Sequence, residues 1–329
     1  MTITLSRSRL MGRVALGAAA VLALGACGST STTGAAASKQ QPLLGIVSID
    51  TTDYGNKLVI EGATAAAKNL GWSVDVVNAA GSADQANAAM VNFVQRKAVA
   101  IFDLVFPTTS LVKGIAAAKA AHIPVATAGA GLADGVIATA GLGAPAAPPV
   151  TNYLVDQMGG KGQLLAFTYR VGAVCRDREQ VLDSILKKYP GIKVTKQELQ
   201  VPGFTTQAPQ FATSWLASRP KGAANYAIWG CWDDPTLAVI PALKQNGRTD
   251  VKTYGMNGYP NAVVAVGRGD LTATTWVDYK SEGTVLVGAT SDYLKNPTGW
   301  TPKTLDIPNL LLDGANFATF TKQHPGITG

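Results

Sequence analysis

Two polar turns carry the residues best suited to hold a small molecule. Gly230-Cys231-Trp232-Asp233-Asp234 follows the apolar run Tyr226-Ala227-Ile228-Trp229, and Met256-Asn257-Gly258 follows the run Val251 to Gly255. Trp232 is either plain core or a ring face for the apolar side of a sugar or for a flat ring; its polar surroundings favour the second. Asp233 is expected to face the ligand. Asp234, directly before Pro235, fits a helix N-cap. Neighbouring residues do not face the same way, so the two acids do not form a paired-carboxylate site. Asn257 is either a turn residue or a donor and acceptor suited to a hydroxyl. Arg176 is either an ion-pair partner of Asp177 or Glu179, or a fork for hydroxyls or a carboxylate. Asp103 sits in an apolar strand, where a carboxyl needs a partner that the sequence does not reveal.

Other chemistries find little support. The chain has two histidines, His122 and His324, and neither has metal-ligand spacing with another His or Cys. A Gly-x-Ser-x-Gly turn, a full dinucleotide glycine pattern and a phosphate loop are all missing. No catalytic residue, cofactor or metal site is expected. Lysines and arginines are scattered, without a basic stripe interleaved with aromatics, so nucleic acid is not an expected partner.

The elements that must position these residues alternate regularly. Leu43 to Ser48 reads as a buried strand, followed by the polar exit turn Ile49 to Asn56, with Asp53 and Tyr54 in it. A helix, a strand at Trp72 to Val77, a helix from Ser82, a strand at Val99 to Phe106, a helix and a strand at Ile123 to Thr127 follow. Gly129 to Gly143 is Gly/Ala-rich and reads as a flexible loop. Ala144 to Val150 is a proline-bearing link, after which the alternation restarts and runs through both polar turns. Short strands alternating with helices predict doubly wound parallel sheets, which gather ligand groups at the carboxyl ends of their strands. With 329 residues, 47% of them hydrophobic and 15% charged, two α/β lobes are expected.

The N-terminus predicts export. Arg7, Arg9 and Arg13 precede the apolar run Val14 to Leu24, which is too short to span a bilayer comfortably. Leu24-Gly25-Ala26-Cys27 resembles a bacterial lipoprotein signal, with Cys27 as the lipidated residue, and the Ser/Thr/Gly/Ala-rich stretch after it reads as a tether. Removing the three leader arginines takes the net charge from +7 to +4. Cys175 and Cys231 then lie in an oxidising compartment, as a free buried pair or as a disulfide.

At this point the chain resembles the type I periplasmic binding proteins of the ribose-binding kind. The segments that carry the resemblance are EGATAAAKNLGW, AKAAHIPVAT, RDREQVL ahead of KKYPGIKV, LAVIPALKQNGRTDVKTYGMNG, GDLTATTW and NLLLDGANF, in that order between Leu43 and Phe320. The resemblance implies two doubly wound parallel-sheet lobes joined by a three-segment hinge. Residues 1–26 would be the signal peptide and 27–42 the tether. Residues 43–146 and 277–304 would form one lobe, and 147–276 and 305–329 the other. It also implies a monomeric, lipid-anchored extracytoplasmic protein of the bacterial cell membrane that delivers a ligand, with a sugar or polyol favoured, to the permease and ATPase of an ABC importer. A sensory receptor presenting a bound signal to a membrane kinase, and an envelope enzyme on the same scaffold, are the alternatives.

Carried over by position, the family's ligand contacts fall on Asp53 and Tyr54 in the first exit turn and on Arg176 after the first strand of the second lobe. They fall also on Trp232-Asp233, on Asn257, and on Trp276 and Asp278 flanking the hinge position Val277. The Asp-Arg pair that follows strand four in the family is replaced by Gly129-Ala130, which leaves room for a flatter, less hydroxylated ligand. The family fold also implies that the loop bearing Cys175 borders the wall bearing Cys231, so a disulfide between them is expected.

Overall fold

The computed structural model describes residues 41–141 and 143–328; the proposed leader, Cys27 and nearly all of the tether lie outside the described residues. Short apolar runs become strands, and the amphipathic stretches between them become helices. The first series is β1 (Leu43–Ser48), α1 (Tyr54–Asn69), β2 (Ser73–Asn78), α2 (Ala83–Gln95), β3 (Ala100–Leu104), α3 (Val112–Ala120), β4 (Val125–Ala128) and β5 (Val136–Ala140). The second is α4 (Ala147–Gln157), β6 (Lys161–Thr168), α5 (Ala173–Leu186), β7 (Gly191–Glu198), α6 (Phe204–Leu216), β8 (Tyr226–Gly230), α7 (Asp233–Gln245), β9 (Val251–Asn257), α8 (Pro260–Gly267) and β10 (Ala273–Val277). The chain ends with α9 (Tyr279–Lys295), β11 (Lys303–Leu305), β12 (Asn309–Asp313) and α10 (Phe317–Gln323).

Two six-stranded sheets result, in the orders β11-β5-β4-β3-β1-β2 and β12-β10-β9-β8-β6-β7. Every pairing is parallel except that of β12 with β10. The chain passes between the sheets three times: between β5 and α4, at Asp278 between β10 and α9, and between β11 and β12. Each sheet is packed on both faces, as parallel strands require. The Gly/Ala-rich stretch expected to be a loop contains β5, whose five residues Val-Ile-Ala-Thr-Ala are all buried. The short helix α8 was not expected at all.

α9 begins where the second hinge pass ends. Asp278 caps it, its Oδ1 accepting from the Ser281 N–H at 3.1 Å. The helix then lies against α1 with backbone almost touching backbone. A Cβ at Gly62 would strike the Lys280 carbonyl oxygen, and one at Gly283 the Val59 carbonyl oxygen. Glycine at these two sites is what brings the buried face of α9, with Tyr279 and Glu282, up to the carboxyl end of the first sheet.

Gly283→Val should therefore destabilise the protein by about 3 kcal/mol, since two helices would have to separate. Gly288→Ala, on the same helix but facing open space, should stabilise it by about 0.5–1 kcal/mol. Urea unfolding of the two variants side by side measures both.

Candidate functional site

The carboxyl ends of β1, β3 and β4 face those of β6, β8 and β9 across a cleft of about 750 Å³. Its three sources are the exit turns of the first sheet, those of the second, and the first turn of α9. On the second-lobe side Trp232 forms an aromatic wall, edge-on to Tyr169 at 6.0 Å and to Phe204 at 5.3 Å between ring centres. Tyr259 continues it towards the first lobe, meeting Tyr54 at 5.3 Å and Tyr279 at 6.0 Å.

The polar groups form one connected network. Arg178, only 1% exposed, donates to the Cys231 carbonyl at 2.6 Å and to Asn257 Oδ1 at 2.8 Å. The Tyr279 hydroxyl donates to the same Oδ1 at 2.5 Å. Burial pushes that phenol's pKa far up, so it keeps its proton. These contacts hold Asn257 at φ 120°, a conformation rarely open to a side-chain-bearing residue. With Oδ1 occupied, the amide nitrogen of Asn257 is the donor it has left for the cleft. A disulfide joins Cys175 to Cys231, with 5.3 Å between their Cα atoms, and so ties the first turn of α5 to the exit of β8.

The lobes also touch. The Tyr259 hydroxyl donates across the cleft to both carboxyl oxygens of Asp53, at 2.8 and 3.0 Å. Asp53 also accepts from the Asn56 N–H at 2.9 Å, capping α1, and burial raises its pKa. The Ala173 N–H reaches the Val105 carbonyl at 3.4 Å. Where the family's Asp-Arg pair would sit, Gly129 carries no side chain, and Val174 from the other lobe occupies the space; a Cβ on Gly129 would collide with it.

Of the residues expected from sequence, Asp53, Tyr54, Trp232 and Asn257 line the cleft, and Arg176, Asp233, Trp276 and Asp278 do not. α5 turns Arg176 and Arg178 about 200° apart, and it is Arg178 that faces the cleft. Neither Asp233 nor Asp234 takes the place expected of it. α7 starts at Asp233, with Trp232 in the N-cap position, so Asp234 is not the cap residue; it lines the cleft and accepts from Asn261 Nδ2 at 3.3 Å. Asp233 is fully buried behind the wall, accepting from the Thr274 hydroxyl at 2.7 Å and from the Tyr259 N–H at 3.2 Å. Trp276 packs on Phe320 and His324 under α10, and Asp278 serves as the α9 cap. Asp103 is buried in β3 outside the lining, its pKa raised by burial.

Sequence reading missed Arg178, Tyr259, Tyr279 and Glu282. A signal existed for the last pair. Tyr279, Glu282, Gly283, Leu286 and Val287 share one buried face of α9, and a lone acid on such a stripe marks a polar contact.

Burial lifts Asp233 from 3.8 to about 7, against the hydrogen bonds from Thr274 and Tyr259. The folded state thus holds a proton that the unfolded chain releases near pH 4. The stability this group contributes is fully present below that pH and is lost as pH rises through about 7. Asp233→Asn should remove this loss, so that the variant gains on wild type between pH 4 and pH 8 by on the order of 4 kcal/mol. Urea midpoints across that range measure it.

The sequence pattern described as periplasmic binding protein domain matches residues 44–298. A xylitol-binding protein of Mycolicibacterium smegmatis is 27% identical over 274 residues, spanning 80% of this chain and 75% of that protein. Among solved structures, an ABC transporter solute binding protein from Agrobacterium vitis with bound allitol superposes with a TM-score of 0.76 at 23% identity, covering 86% of this chain and 99% of its own. One from Mycobacterium smegmatis with bound glycerol gives 0.75 at 22% identity, covering 85% and 96%. The family pattern extends from β1 into the loop that follows α9, and the fold agrees with it: the chain belongs to the periplasmic binding protein domain family.

Proposed function

We propose that this chain is the extracytoplasmic receptor of an ABC importer, that it binds an uncharged sugar or polyol between its lobes, and that an acyclic polyol fits best. The observation that carries the reading is the make-up of the cleft. Aromatic faces from Tyr169, Phe204 and Trp232 stand against a few fixed hydroxyl-matching groups, among them Asn257, Asp53 and Asp234. Such a lining suits the alternating C–H and O–H surface of a polyol. The place of the Asp-Arg pair is filled by Gly129 and Val174, which favours a smaller or more pliant ligand than a pyranose. The relatives named above as binding xylitol, allitol and glycerol support the same class. Binding, not turnover, is the activity.

In this reading Cys27 is lipidated, the stretch after it tethers a monomeric binding body to the outer face of the membrane, and lobe closure on the ligand creates the surface that the permease and ATPase read. Among the described residues no helix is long and apolar enough to cross a membrane.

A ligand that binds only the folded state raises its stability, by about 2.7 kcal/mol at a hundred times its dissociation constant. Xylitol, allitol, glycerol and common pentoses and hexoses should be compared by thermal melting. At least one polyol is expected to raise Tm by several degrees, and Trp232→Ala should weaken that polyol about tenfold or more by calorimetry, the loss of a stacking face. A panel in which no sugar or polyol moves Tm would refute the proposal.

A further inference from the structure

Among the described residues four carboxyl groups reach the cleft, those of Asp50, Asp53, Asp234 and Glu282, and the single cationic side chain in the lining is Arg178. Three of the acids have partners within the chain. Asp50 accepts from the Thr52 N–H and hydroxyl, both at 2.7 Å. Asp53 is held by Asn56 and Tyr259, and Asp234 by Asn261. Glu282 differs. It lines the cleft from the first turn of α9, is fully buried, and neither of its carboxyl oxygens has a hydrogen-bond partner among the described residues. A buried carboxyl without a partner is strongly disfavoured. Natural cores tolerate few such groups, and those that persist call for an explanation.

We propose, resting on the reading of the cleft as a polyol site, that Glu282 determines specificity: its carboxyl group takes a hydroxyl of an uncharged polyol and turns away sugars that carry a carboxylate. Position supports this. Glu282 stands on the hinge helix, so a ligand bonded to it meets both lobes and the hinge together. Chemistry supports it too. Burial favours the neutral acid, and a neutral carboxyl both donates and accepts, which matches a hydroxyl. A ligand carboxylate accepts but cannot donate, so it answers only half of what the neutral acid offers, and it would lay a charge in a buried cleft. The guanidinium in the lining has its Nη1 held by the Cys231 carbonyl and Asn257 Oδ1, and it reaches Glu282 only through its charge, which burial of the acid outweighs.

Calorimetry with xylitol and with D-xylonate, its counterpart bearing a terminal carboxylate, tests the proposal on wild type, Glu282→Gln and Glu282→Leu, alongside melting of each unliganded protein. Wild type should bind xylitol at least a hundredfold more tightly than D-xylonate. Glu282→Gln should keep xylitol affinity within about threefold and keep the discrimination against D-xylonate, because an amide, like a neutral acid, both donates and accepts. Glu282→Leu should lose tenfold or more in xylitol affinity while its unliganded Tm stays level or rises, the mark of a polar group kept for binding. Unchanged xylitol affinity in Glu282→Leu, a lower unliganded Tm in that variant, or equal binding of the two ligands by wild type would each overturn the role of Glu282. Failure of wild type to bind xylitol, allitol or any other uncharged polyol would instead overturn the polyol reading of the cleft.

Discussion

The geometry of the cleft depends on one buried guanidinium. A guanidinium cannot shed its proton in a protein, so burying Arg178 is tolerable only if fixed acceptors surround it. The chain supplies them from distant positions: the carbonyl of Cys231 at the exit of β8 and the side-chain oxygen of Asn257 at the exit of β9. Tyr279, from the second hinge pass, shares the Asn257 oxygen. The disulfide to Cys175 fixes one acceptor against the same helix that bears the arginine. Removing the Asn257 side chain would leave a buried charge short of an acceptor, a loss of about 1.5–3 kcal/mol for a hydrogen bond to a charged group. Two exit turns, one helix and the hinge are therefore set as a unit, and Asn257 is held in a backbone state that few residues enter.

Much of this fold can be read directly from the sequence, because a buried parallel strand needs a continuous apolar run and the crossover helix needs a periodic one. The strand that escaped, β5, is a five-residue Val-Ile-Ala-Thr-Ala run set among glycines, whose turn signal outweighs so short an apolar stretch. The site was legible by turn and illegible by phase. Asp53 and Trp232 are cap residues, Tyr54 opens α1 and Asn257 closes β9, so all four sit at the junctions where a strand gives way to the next element. Arg176 against Arg178, and Asp233 against Asp234, lie at helix starts. There a shift of one residue rotates the side chain by about 100°, and the starting residue is itself uncertain by one or two. Turn chemistry can say that a carboxyl is present but not which neighbour the helix will point inward.

Buried behind the wall, Asp233 has an importance other than ligand contact. Its hidden carboxyl accepts from the Thr274 hydroxyl on β10 and from the N–H of Tyr259, and a side chain at Gly255 would collide with it. It therefore sets where Tyr259 begins its run into α8. The hydroxyl of that tyrosine bonds Asp53, which caps α1 in the other lobe. A continuous path thus leads from the floor of the second sheet to the first helix of the first lobe, and its members are held by hydrogen bonds at 2.7–3.2 Å.

Such a path bears on how closure can respond to a ligand. A ligand shifts an equilibrium between open and closed lobes only by the difference in its affinity for the two. Contacts such as Tyr259 with Asp53 and Ala173 with Val105 favour closure without any ligand, which lowers the differential affinity that a ligand must supply. The acids around the cleft act the other way. Asp53, Asp234 and Glu282 are all raised in pKa chiefly by burial, so each is more comfortable where water reaches it. A bound hydroxyl that satisfies one of them replaces that water. The balance between an aromatic and hydrogen-bonded seam that closes the lobes and buried acids that resist closure makes occupancy of the cleft decisive, and it is the acid without a hydrogen-bond partner among the described residues that gains most from a ligand.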